Sequence, residues 1–307
     1  MKAIRVAQYG QPEDFMFENM PSPVPGKGEV LIEVAGSGVN PIDWKVLSGA
    51  MKAFIPLQLP YTPGVEVAGR VAALGEDASR FSVGDEVFGF IDIVGGYATE
   101  VVASEDRLAH RPSRLPALHA SGVPAVALTA WQALHEHARI KAGQRVLIHG
   151  AAGGVGSMAV QMARITGAIV IATASDHNHG YLRELGASQV IDYNEMRFEA
   201  LVEPVDVVLD LVGGDTQTRS WSVLKPGGVL VSPVSPPDPQ QAEAAGATGK
   251  HFATRSDGAQ LQGIAALFEN GELAIEVEVL PLSQAESALR KSWGRHTRGK
   301  LVLDASL

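Results

Sequence analysis

Val146-Leu147-Ile148-His149-Gly150-Ala151-Ala152-Gly153-Gly154-Val155-Gly156-Ser157-Met158 is the stretch that decides the fold. Three apolar residues and a histidine run into a glycine-rich turn, after which Val155, Ala159, Met162 and Ala163 share one helical face. A buried strand, a glycine turn and a helix in that order are the context a dinucleotide fingerprint requires. Gly153 lets backbone approach a pyrophosphate, and Gly156 lets helix and strand pack closely. The helix N-terminus offers its free N–H groups and positive dipole end to phosphates. Ala151 stands where the first glycine of the fingerprint is expected.

Working outward, apolar strand candidates at 146–149, 168–173, 189–192, 206–211, 228–232 and 250–254 alternate with helical stretches. That alternation predicts an α/β domain with a doubly wound parallel sheet of the Rossmann type, covered on both faces. The second strand runs out through Ala172-Thr173-Ala174-Ser175, so Ser175 occupies the position where an acidic residue would hold an adenosine ribose. A serine leaves room for a 2′-phosphate that a carboxylate would repel, although Asp176 follows directly.

Upstream, segments such as Val30-Leu31-Ile32-Glu33-Val34, Val65-Glu66-Val67-Ala68 and Glu86-Val87-Phe88-Gly89-Phe90 are bounded by turn residues and predict a compact β-rich domain. From 117 to 138 alanine and leucine recur at helical spacing. Downstream, a helix at 260–270, a strand at 276–279, a helix at 284–291 and a strand at 300–303 break the repeat. The tail is expected to pair back onto the first domain, giving a β-rich domain of 1–115 completed by 260–307 and a nucleotide-binding domain of 116–259.

The 307 residues are 46% hydrophobic and 19% charged, which excludes general disorder. Twenty-five basic against 34 acidic residues give a formal charge of −9, with no electrostatic footprint for nucleic acid or an anionic membrane. Zero cysteines exclude disulfides, thiolate nucleophiles, iron–sulfur clusters and any sulfur-ligated zinc. No apolar run reaches the roughly 18 residues of a membrane span, and the opening Met1-Lys2-Ala3-Ile4-Arg5-Val6 lacks a signal peptide's apolar core. A soluble, cytoplasmic protein is the expectation.

The chain resembles, from end to end, the zinc-independent quinone oxidoreductase branch of the medium-chain dehydrogenase/reductase superfamily. The likeness is carried by Gly38-Val39-Asn40-Pro41-Ile42-Asp43-Trp44-Lys45, Pro63-Gly64-Val65-Glu66-Val67-Ala68-Gly69, Phe81-Ser82-Val83-Gly84-Asp85-Glu86-Val87 and Gly96-Tyr97-Ala98-Thr99-Glu100. Further on come Ala127-Leu128-Thr129-Ala130-Trp131, the glycine turn, Asp210-Leu211-Val212-Gly213-Gly214 and Leu224-Lys225-Pro226-Gly227-Gly228. The resemblance implies a GroES-like catalytic domain beside the Rossmann domain, a cofactor cleft between them, NADPH, a homodimer, and reduction of quinones or α,β-unsaturated carbonyls. By the same likeness, Gly153, Gly154, Val155 and Gly156 line the pyrophosphate, and Ser175 and Tyr193 flank the 2′-phosphate. Thr129 lies close to the nicotinamide, while Val212, Gly213, Ser232 and Phe252 border its ribose. Asn40 and Lys45 are the catalytic candidates because their motif faces the cleft in the family. Related members place a lysine just after the serine, where His177 and Asn178 stand here. Zinc-dependent relatives need a cysteine-type ligand near Asn40 and a histidine before Glu66, where Val65 stands, so no metal is expected. An enone or 2-alkenal reductase, and a non-catalytic NADPH-binding protein of the crystallin kind, are the alternative functions.

Other residues carry blander expectations. Glu66 reads as a buried carboxylate bonded to backbone, Asp43 as a helix cap and Trp44 as core. His135-Glu136-His137 lacks the i, i+4 spacing of a helical metal pair, and no G-x-S-x-G elbow occurs. The basic run Arg295-His296-Thr297-Arg298-Gly299-Lys300 reads as a solvated loop or as added positive charge near a cofactor phosphate.

Overall fold

The computed structural model describes residues 1–12, 15–294 and 297–307, and the chain divides into two units. The first comprises Met1–Ala125, Ser256–Gly271 and Ile275–Leu307, and the second Val126–Arg255 and Glu272–Ala274. Residues 116–125 and 256–259, expected with the nucleotide domain, therefore fall in the first unit. The Ala125 amide donates to Glu66 Oε2 at 2.7 Å, and a Cβ at Gly258 would lie 2.4 Å from the Leu108 carbonyl oxygen.

In the first unit, β1 (Lys2–Val6) and β2 (Phe15–Asn19) form an antiparallel pair. β3 (Glu29–Val39) pairs along one side with β4 (Glu66–Leu74), which pairs in turn with β5 (Glu86–Phe90). On its other side β3 takes β6 (Glu100–Ser104) against residues 29–33. β7 (Leu108–His110) completes this edge beside β5. Alternation sends Val30, Ile32 and Val34 inward against Val67, Val71, Phe81 and Val87. Each such side chain contributes about 1.5–3 kcal/mol when fully buried. Helix α1 (Pro41–Leu47) follows β3 directly, with a proline at its first position and Asp43 accepting from the Asn40 amide at 2.7 Å.

The helical texture at 117–138 is split into α2 (Ala117–Ala120), α3 (Pro124–Trp131) and a π-helical turn, Gln132–Ala138. Pro124 can only begin a helix, which accounts for the break before it.

The second unit is a six-stranded parallel sheet of β8 (Arg145–Ile148), β9 (Ile169–Ala174), β10 (Gln189–Asp192), β11 (Val205–Leu209), β12 (Leu224–Ser232) and β13 (Thr248–His251). Its order, β10-β9-β8-β11-β12-β13, reverses between β8 and β11. That is the doubly wound order, and its switch point is where such sheets bind ligands. Leu147, Ile171, Val208 and Leu230 pack with Phe198 and Trp221 in one of its cores. Helices α4 (Gly154–Ile165), α5 (His179–Leu185), α6 (Gly214–Ser220) and α7 (Pro239–Ala244) connect the strands.

Two strand ends differ from expectation. β11 stops at Leu209 because the Asp210 carboxylate folds back to accept the amides of Val212 and Gly213, at 3.0 and 2.8 Å. β13 stops at His251 because the next residues turn onto the π-helical segment, where Phe252 meets the His137 ring at 4.4 Å between centroids.

The tail returns to the first unit as α8 (Gly258–Glu269), β14 (Val277–Pro281), α9 (Ala285–Trp293) and β15 (Lys300–Asp304). β15 lies between β14 and residues 36–39 of β3, and Ala285, Ala288 and Leu289 pack on Leu47, Leu301 and Leu303.

Candidate active site

The glycine turn begins one residue earlier than the fingerprint suggested. Gly150, with φ of +65°, makes the left-handed turn, so Ala151 replaces nothing. A Cβ at Gly156 would sit 2.4 Å from the Gly150 carbonyl oxygen and 2.5 Å from Ala151 Cα, so only glycine lets α4 start this close to β8. Gly153 is the N-cap of α4, and the nearest atom to a Cβ there would be 3.5 Å away. The turn thus presents bare backbone, including the first amides of α4, which have no partner within the helix. Such bare backbone at a helix N-terminus can hold a phosphate group.

The remaining cofactor candidates line up beside it at the carboxyl ends of the strands. Ser175 follows β9, and its Oγ accepts from Asn178 Nδ2 at 3.2 Å, leaving its own proton to donate. Tyr193 follows β10 and is half exposed. Asp192 before it accepts the Asp176 amide at 3.1 Å and the Asn194 amide at 2.8 Å. These bonds, led by the Asn194 amide, hold the Asp192 carboxyl below the usual carboxylate range. Val212 and Gly213 follow β11 in the turn that Asp210 holds, with Gln217 Nε2 donating to Asp210 Oδ2 at 2.9 Å. Ser232 ends β12, its hydroxyl accepting the Val234 amide at 3.2 Å. Phe252 follows β13. Thr129 comes from α3 and is joined to this row by a 2.7 Å hydroxyl contact with Thr254. Asp210 stands in a motif of the family likeness without a role assigned to it, and Thr254 carries no signal beyond residue type in the sequence.

Asn40 and Lys45 lie in the first unit. Asn40 is buried, and its amide group is engaged on both sides: Nδ2 donates to Glu66 Oε1 at 2.7 Å, and Oδ1 accepts from Lys300 Nζ at 2.8 Å. Lys300 Nζ also donates to the Val39 carbonyl at 2.7 Å and lies 2.8 Å from Glu66 Oε1. Neither expectation for the basic run fits Lys300, which is a buried partner of Glu66. Arg298 is paired with Glu276 at 2.9 Å, and Arg295 and His296 lie outside the described residues. Glu66 binds backbone as expected, through Ala125, and a cation besides. A carboxylate inside the apolar strand Val65-Glu66-Val67 was the signal on one side of this pair. Asp43 Oδ2 also accepts from the buried Tyr97 hydroxyl at 2.8 Å, and burial pushes its carboxyl up to about 7. Lys45 is half buried, with Nζ 5.7 Å from the centre of the Trp44 ring, which stacks on Trp293.

A glycine turn at the switch point of a 3-2-1-4-5-6 sheet, in a chain that also carries a β-rich unit completed by the C-terminal tail, is the build of the dinucleotide-dependent oxidoreductases. Residues 26–113 match the alcohol dehydrogenase GroES-like domain, and residues 185–303 match the family described as zinc-binding dehydrogenase. The chain is 34% identical to the chloroplastic quinone-oxidoreductase QR1 of Triphysaria versicolor over 99% of both sequences. Among solved structures, it is similar to the quinone oxidoreductase of Coxiella burnetii (35% identity, TM-score 0.91, 99% of each chain). It is also similar to the Escherichia coli quinone oxidoreductase solved with NADPH (26% identity, TM-score 0.91, 99% and 100% of the two chains). The chain belongs to the zinc-independent quinone oxidoreductase branch of the medium-chain dehydrogenase/reductase superfamily.

The zinc named in one family description does not fit this site. The chain has no cysteine, Val65 precedes Glu66, and the oxygens of Asn40 and Glu66 already surround the Lys300 ammonium. Among the described residues no cluster of three or more histidines, aspartates or glutamates could hold a metal, and no helix is long and apolar enough to cross a membrane.

Proposed function

We propose that this chain reduces quinones with NADPH. One observation carries the reading: the bare glycine cradle lies in a chain similar over 99% of its length to named quinone oxidoreductases, one of them solved with NADPH. Gly153, Gly154, Val155 and Gly156 hold the pyrophosphate on backbone amides. Ser175 donates its free hydroxyl proton toward the 2′-phosphate, and Tyr193 flanks it. Val212, Gly213, Ser232 and Phe252 shape the ribose side, and Thr129 the nicotinamide. NADPH supplies the hydride, and the quinone oxygen left with charge takes a proton.

Asn40 is better described as a positioning residue, since its amide holds Glu66 and Lys300. Lys45 remains the candidate donor to the substrate oxygen. An ammonium is attracted more strongly to the developing oxyanion than to the neutral carbonyl, and that difference lowers the barrier. β13 is an edge strand of its sheet, which suits pairing with a second copy of the chain, and we propose a homodimer in the cytoplasm.

The test is NADPH oxidation with a panel of benzoquinones, naphthoquinones, 2-alkenals and cyclic enones. Quinone turnover supports the reading, and turnover of enones alone replaces it with an enone reductase. NADPH binding without turnover of any acceptor makes the chain a binding protein. Lys45→Met is expected to cut kcat about a hundredfold, with NADPH affinity unchanged.

A further inference from the structure

Beneath the glycine turn lies a buried histidine that the reading above does not use. His149 follows β8 and immediately precedes Gly150, and its ring is hydrogen-bonded at both nitrogens. Nδ1 meets Thr173 Oγ1 of β9, and Nε2 meets Ser220 Oγ, the last residue of α6, each at 3.0 Å. Ser220 spends its only proton on the Thr216 carbonyl at 2.6 Å. Its oxygen can therefore only accept from His149, which puts the ring proton on Nε2 and leaves Nδ1 to accept from Thr173. Phe198 packs edge-on against the ring at 4.7 Å. Burial pushes the imidazole down to about 4, so the ring is neutral around pH 7 and its donor and acceptor sides are fixed.

The two partners belong to opposite halves of the proposed cofactor site. Thr173 lies on β9 two residues before Ser175, at the adenosine side. Ser220 closes α6, whose first residue, Gly214, follows Gly213 in the loop at the nicotinamide-ribose side. We propose that His149 is a positioning residue for the dinucleotide, tying the β9 end that carries Ser175 to the helix behind the Val212–Gly213 loop. The proposal rests on the cofactor reading above. It makes the two halves of the site one mechanical piece hung on the residue before the pyrophosphate turn.

Affinities for NADPH and for its adenosine half, 2′,5′-ADP, test it in the full chain. Ser220→Ala removes a hydroxyl on the α6 side, yet it is expected to weaken 2′,5′-ADP about tenfold, the size of one buried hydrogen bond. Thr173→Val is expected to do the same, and Thr173→Ser, which keeps the hydroxyl, to restore wild-type binding. The double variant should lose less than the product of the single losses, because both act through one ring. If Ser220→Ala lowers the melting temperature but binds both ligands like wild type, the proposal is overturned. Should Thr173→Val fail to fold, Ser220→Ala and Thr173→Ser decide alone. A wild-type chain that binds neither ligand overturns the cofactor reading and this proposal with it, whereas wild-type binding leaves only the proposal at stake.

Discussion

Lys300 Nζ lies 2.8 Å from Glu66 Oε1, joining the last strand of the chain to β4 by an ion pair from which solvent is excluded. Val39, Asn40 and Ala125 supply the remaining bonds. Such a pair adds little net stability when whole, but removing one partner strands the other charge in a low dielectric. Lys300→Met is therefore expected to destabilise the chain by about 3–5 kcal/mol. Lys300→Met combined with Glu66→Gln should recover much of that loss. Urea unfolding of the two variants checks this, and equal losses would show that the pair is not coupled.

The Asp43 carboxyl gives the first unit a pH slope. Burial raises it from 3.8 to about 7, so the folded state prefers the protonated form. The sign follows: its contribution is full below pH 4 and is lost as pH rises through about 7. The whole effect is on the order of 4 kcal/mol. Asp43→Asn stays neutral and keeps an oxygen for the Asn40 amide and the Tyr97 hydroxyl. The variant is expected to gain stability relative to wild type at pH 8 and to lose this slope in denaturant midpoints taken from pH 5 to 8.

His149 gives the second unit the opposite slope. Burial lowers it from 6.5 to about 4, so the unfolded chain protonates first as pH falls. Its contribution is present above pH 6.5 and disappears as pH drops through about 4, a change on the order of 3 kcal/mol. Hydrogen exchange resolved by segment checks this: between pH 6.5 and 5, β8 and β9 should lose protection, corrected for intrinsic rates, while β3 and β4 gain it through Asp43.

Gly156 and Gly153 separate packing from ligand access. At Gly156 an added Cβ meets backbone at 2.4 and 2.5 Å, which cannot give way cheaply, so Gly156→Ala is expected to cost both stability and NADPH affinity. At Gly153 nothing lies closer than 3.5 Å. Gly153→Ala should melt like wild type while binding NADPH more weakly, because the methyl group stands where the pyrophosphate meets backbone. Calorimetric melting and NADPH titration of both variants decide it.

The second unit was legible because its strands are covered on both faces and so read as unbroken apolar runs, Val146-Leu147-Ile148 most clearly. The row of strand-end residues came from the family likeness, and the structure places them where the strands end. What escaped was pairing at a distance. Lys300 and Asn40 are separated by 260 residues, and nothing local in Arg298-Gly299-Lys300 distinguishes a solvated lysine from a buried one. Residues 250–254 have the pattern of a strand, yet the Phe252 ring sits against His137, and that contact overrides strand propensity. The position of the left-handed glycine also depends on backbone geometry, which residue type constrains only to within a position or two.

The placement of β15 has a consequence for synthesis. All six strands of the parallel sheet lie between Arg145 and His251, so a nascent chain can pair them before the rest has left the ribosome. The first unit cannot follow suit, because the strand that fills the gap between β14 and β3 is made after both of them. Until Lys300 emerges, Glu66 has no cation and residues 36–39 of β3 have an unpaired edge. A chain cut between His251 and Lys300 would have one sheet whole and the other lacking an interior strand, a species suited to recognition by chaperones or proteases.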